Sequence, residues 1–97
     1  METENPEKFR TGSIVITPGI QDILDRDEQV VLKLPTLLMR HVRGDWGEVE
    51  AEDAAVNDKA LHDGERLLSV YRLGGERVYV LTEADRSATT VLLPEEY

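Results

Sequence analysis

The sequence predicts an α+β fold: a twisted antiparallel sheet of three or four strands, with two or three helices packed mainly on one face. Three observations point there. Helical spacings of apolar residues recur between residues 18 and 63. Strand-like alternation dominates from Arg66 onward. Between two alternating runs stands Gly74-Gly75, a two-residue link of the kind that closes β-hairpins. The globular part is assigned to residues 12–97 as one domain. Residues 1–11, charged and broken by Pro6, read as a mobile tail.

Ser13-Ile14-Val15-Ile16-Thr17 is a β-branched run and predicts a strand, added at one edge of the sheet. Thr17-Pro18 reads as an N-cap followed by proline in the first turn. Ile20, Ile23 and Leu24 then form one apolar stripe, which predicts a helix over 18–26. Val30 to Leu34 fit either a strand or an extension into the next helix. Pro35 is expected to open that helix, with Leu37, Leu38 and Val42 facing inward and Gly44 as its stop. A third helix is expected over Glu50–Asp63, with acidic residues in its first turn and Val49, Val56, Ala60 and Leu61 as its buried stripe. Strands follow over 66–73, 76–82 and 88–93, with a turn at Ala84-Asp85-Arg86-Ser87. A Gly-Gly hairpin pairs Tyr71 with Val78 and Ser69 with Val80 on one face, and Val70 with Tyr79 and Leu68 with Leu81 on the other. Both faces are therefore apolar, and the second requires a cover: the first helix, the tail, or a second copy in a homodimer through the β-sheet.

With 20 acidic against 11 basic residues, the chain has a formal net charge of -9. That balance argues against direct nucleic acid binding and against anionic lipid, and it suits a basic protein partner. The absence of cysteine excludes disulfides and thiolate zinc sites and fits a reducing cytoplasm. No apolar run approaches a membrane span, and the polar start does not resemble a signal peptide.

The densest block of chemistry-bearing residues runs from His41 to Asn57. Trp46, the only tryptophan, stands between Gly44-Asp45 and Gly47. Such a loop is either the plug of a small core or the rim of a binding surface, and partial burial between helix and sheet is the expectation. The candidate binding residues are Trp46, Asp45, His41, Asp53, Asn57 and Arg86. His41, Asp45, Asp53, Asn57 and His62 are of metal-binding types, yet no His-x-x-x-His or Glu-x-x-His spacing joins them. Asp53 and Asn57 share a helix face and are expected to bond main chain near the tryptophan loop. No catalytic residue, metal or cofactor is assigned: the carboxylates mark no catalytic pair, and no phosphate-binding glycine loop or nucleophile elbow is present. Of Tyr71 and Tyr79, on opposite strand faces, one is expected in the core and the other exposed or covered.

Gly-Asp-Trp-Gly at 44–47, Glu-Asp at 52–53, Asn-Asp at 57–58, Asp-Gly at 63–64, Leu-Ser-Val-Tyr at 68–71 and the string Thr-Glu-Ala-Asp-Arg-Ser-Ala-Thr-Thr-Val-Leu-Leu-Pro-Glu-Glu-Tyr at 82–97 resemble a family of small bacterial proteins of plasmids and other mobile elements. These often carry the label plasmid-related protein and sometimes that of a type I restriction methylation subunit. The resemblance implies a bacterial, cytoplasmic, stand-alone domain and carries over no activity. A methyltransferase is excluded physically, because so short a chain has no room for the doubly wound cofactor-binding sheet. The expectation for function is a non-enzymatic protein-interaction module. The alternatives are a DNA-mimic inhibitor of a restriction or defence enzyme, and a small metal-dependent enzyme built on His41, Asp45 and Asp53.

Overall fold

The computed structural model describes residues 6–97. Its elements are β1 (Ser13–Ile16), α1 (Pro18–Arg26), α2 (Glu28–Val42), α3 (Ala51–Asp63), β2 (Leu67–Leu73), β3 (Glu76–Thr82), β4 (Ala88–Leu92) and a closing 3₁₀ turn (Pro94–Glu96). The four strands form one sheet in the order β1-β4-β3-β2. β4-β3 and β3-β2 are antiparallel, and β1 joins the outer edge of β4 in parallel. The fold is thus α+β. The hairpin adopts the predicted register throughout, from Leu67 opposite Thr82 to Leu73 opposite Glu76. Gly74 and Gly75 both have positive φ, as the favoured two-residue hairpin turn requires.

α1 begins as predicted. The Thr17 hydroxyl accepts from the Ile20 N–H, and Pro18 occupies the first turn. Asp27 ends α1 and starts α2, its carboxylate accepting from the Gln29 N–H at 2.9 Å. Pro35 does not open α2. The helix runs through it, from Glu28 to Val42. A proline there costs roughly 3 kcal/mol of helix stability. Against that cost stands one stripe at helical spacing, Val30, Leu34, Leu37 and His41, which faces the sheet on both sides of the proline, while Pro35 points to solvent. The ambiguous stretch Val30–Leu34 is therefore helical.

α1 and α2 cover one sheet face. Ile20, Ile23, Val30 and Leu37 pack on Tyr71, Leu73, Val78, Val80 and Val91. A second apolar cluster joins Trp46, Ala60 and Leu67 with Phe9, Val49, Ala54 and Leu61. The tail expected over residues 1–11 is docked from Lys8 onward: the Lys8 N–H donates to the Val42 carbonyl at 2.7 Å, and Phe9 enters the second cluster. Residues 1–5 of that expected tail lie outside the described residues. The inward face of α3 also differs from expectation. Ala60 is buried as expected, but Val56 is 62 % exposed and Asn57 is buried in its stead. The helix is turned by the side chain of Asn57, which bonds the edge of the sheet.

Candidate functional site

The free edge of β2 is covered by the chain itself. The Val70 N–H donates to the Trp46 carbonyl at 3.0 Å, and the Glu48 N–H donates to the Val70 carbonyl at 2.7 Å. A side chain at Gly47 is excluded, since its Cβ would lie 2.0 Å from the Val70 carbonyl oxygen. One step along the strand, the Asn57 amide takes over. It donates to the Leu68 carbonyl at 2.8 Å and accepts from the Leu68 N–H at 3.1 Å, as a neighbouring strand would.

The tryptophan loop is pinned on every side. Asp45 receives a two-point bond from the Arg40 guanidinium at 2.7 and 3.2 Å, and this hydrogen-bonded cation holds its carboxyl below the usual carboxylate range. The Asp45 carbonyl accepts from the Tyr71 hydroxyl, whose pKa burial pushes up to about 12. The indole of Trp46 is 5 % exposed and donates to Asp58 at 3.0 Å. It lies edge-on to His41 at 5.8 Å, and Phe9 stacks on it at 6.3 Å. Arg86 lies over the Phe9 ring, and its guanidinium donates to the carbonyls of Glu65, Glu83, Ala84 and Ala60. It thereby ties the end of α3 to the turn before β4.

His41 is fully buried among hydroxyls. Nδ1 lies 2.6 Å from Ser69 Oγ, and Nε2 lies 2.8 Å from Thr82 Oγ1. Thr82 meets Thr89 at 2.7 Å, and the Thr89 hydroxyl donates to the Thr11 carbonyl at 2.8 Å. Counting protons along this chain fixes the tautomer. Thr89 spends its proton on Thr11, so Thr82 must donate to Thr89. His41 Nε2–H must then donate to Thr82, and Nδ1 accepts from Ser69. The imidazole is neutral. Burial first, and the positive charge of Arg86 second, push its pKa down to about 4.

The six candidate residues thus fall into three places. His41, Trp46 and Arg86 gather around Phe9 inside the fold. Asp45 belongs to the Arg40–Tyr71 clamp. Asn57 bonds β2 rather than the tryptophan loop, and Asp53 faces a groove. Among the described residues, no three His, Asp or Glu side chains converge as a metal-ligand set, and no helix is long and apolar enough to cross a membrane.

The groove lies on the second face of the sheet and encloses about 420 Å³. Its floor is Leu68, Val70, Tyr79 and Leu81, the face that the hairpin register leaves away from α1 and α2. α3 forms one wall through Asp53 and Val56. Tyr97 forms another, meeting Tyr79 edge-on at 5.8 Å. Arg66 and Arg77 also line it, with Glu48 and Glu50 on the α3 side. The apolar second face is legible in the sequence but its walls are not, because the spacing of Val56 with Ala60 predicts a core position. Comparison with protein-family models, with curated proteins and with solved structures returns no match.

Proposed function

We propose that this chain is a non-enzymatic protein-interaction module whose contact face is the groove between α3, Tyr97 and the second sheet face. The observation that carries this reading is the exposure of large apolar side chains at its rim, Val56 at 62 % and Tyr97 at 65 %, above an apolar floor. The partner is a protein segment that carries apolar side chains and positive charge. Glu48, Glu50 and Asp53 line the α3 side, and the whole chain has a net charge of -9. The tryptophan loop supports this face indirectly, by holding the edge of β2 that forms part of its floor. The histidine that most invited a chemical reading is sealed in the core with both ring nitrogens engaged.

Peptides selected by display against the native chain, then titrated against Val56→Glu and Tyr97→Ala, test the proposal. Each substitution lies at the surface and is expected to leave the melting temperature unchanged while weakening the selected peptides by about tenfold or more, about 1.4 kcal/mol. Selected peptides should be basic and apolar, and salt should weaken them. Peptides that bind both variants as tightly as the native chain would overturn the assignment of this face.

A further inference from the structure

The groove beneath Val56 and Tyr97 carries charges of both signs that do not meet. Glu50 and Asp53 stand on the α3 side, and Arg77 stands on β3. Among the described residues, none of these three forms an ion pair. The other arginines of this sheet face are engaged. Arg66 lies 3.7 Å from Glu83, and Arg72 lies 3.3 Å from Glu48. Glu76, beside Arg77 in the chain, lies 3.3 Å from Arg26 instead. Arg77 is also poorly placed for the fold. The hairpin register sets it directly opposite Arg72, and like charges in that position destabilise a strand pair. A cation kept there at a cost, in a chain with 20 acidic residues, points to a partner outside the chain.

We infer that Arg77 selects an acidic side chain, Asp or Glu, in the protein segment that occupies this groove. The inference rests on the contact face proposed above and narrows its occupant to a segment with both charge signs in a fixed order. Arg77 is exposed, and a guanidinium grips a carboxylate at two points, which fixes direction as well as charge. Glu50 and Asp53 take the basic residue of the same segment. Val70 and Tyr79, paired across β2 and β3, take the apolar side chain between them. The width of the groove sets the spacing. Its acidic side begins at Glu48, one strand spacing from β2, and β3 lies one spacing beyond β2. Two spacings of about 4.8 Å match about three residues of extended chain. The acid is a side chain rather than a chain end. Terminal carboxylates are gathered by clustered main-chain N–H groups, whereas Arg77 and its neighbours lie in a regular ladder.

Peptides selected by display against the native chain are expected to share an Asp or Glu about three positions from a Lys or Arg. Replacing that acid by alanine should weaken binding to the native chain by about five- to tenfold, and binding to Arg77→Ala by less than about twofold. Arg77→Glu, which faces Arg72 favourably, should prefer the peptide with lysine in place of the acid. Amidation of the peptide C-terminus should leave affinity unchanged. Peptides that weaken against Val56→Glu and Tyr97→Ala, yet bind Arg77→Ala as tightly as the native chain, would overturn the role of Arg77 and leave the contact face standing. Loss of binding on amidation would overturn the choice of a side chain. Peptides indifferent to every one of these substitutions would remove the contact face, and this inference with it. If Arg77→Ala fails to fold, the alanine-substituted peptide against the native chain decides alone, and unchanged affinity overturns the inference.

Discussion

Acid should destabilise this protein through His41 before it does so through the carboxylates. The imidazole titrates near 6.5 in an unfolded chain and at about 4 in the fold. Between those values the unfolded state binds the extra proton, so stability falls as pH falls. Each pH unit across that window costs about 1.4 kcal/mol, and the full window costs about 3 kcal/mol. A second N–H on the ring would oblige the Ser69 hydroxyl to turn and accept it. Chemical denaturation at a series of pH values, run beside His41→Gln, isolates the effect. Changes in overall charge act on both proteins and cancel in the difference. Asp45 and Glu96 act lower, since their pKa values are depressed and their contribution is lost only as pH falls through the folded values. The native chain should lose about 3 kcal/mol relative to the variant between about pH 7 and pH 4. Nitrogen NMR should show the Nε2–H tautomer unchanged until the lower end of that range. A His41 that titrates near 6.5 in the folded protein would refute the reasoning.

Two further perturbations probe the interior. Trp46→Ala removes the centre of the second apolar cluster and the bond to Asp58. It is expected to cost roughly 3–5 kcal/mol, read by denaturant midpoint, and a variant that melts like the parent contradicts the packing. Pro35→Ala restores a missing helix donor at an exposed site. It is expected to raise stability by about 1–3 kcal/mol, and a fall in melting temperature would show that the proline is needed where it stands.

The hairpin was legible because Gly74-Gly75 and strict alternation specify one register. α1 was legible because its cap and stripe agree. α2 was not, because a local rule about proline conflicts with a stripe that crosses it, and burial of that stripe prevails. Phe9 was hidden in a charged segment, although it is the only phenylalanine of the chain. The partners of His41 were within reach. Ser69 and Thr82 fall on the same face as Tyr71 once the register is drawn, and hydroxyls on a core face ask for a polar companion. Asn57 was harder, since nothing in a helical sequence tells whether an amide will stand in for a peptide unit of a neighbouring strand. Nor does Glu96 advertise that it accepts from the Thr17 hydroxyl and the Gly19 N–H.

That last contact has a temporal side. Gly19 and Glu96 are 77 positions apart, and among the described residues β1 pairs only with β4. During synthesis, therefore, the first strand stays idle while all three helices and the whole hairpin emerge. Closing so long a loop is entropically slow. Emergence of β4, rather than local helix formation, becomes the moment at which the N-terminal strand finds its place.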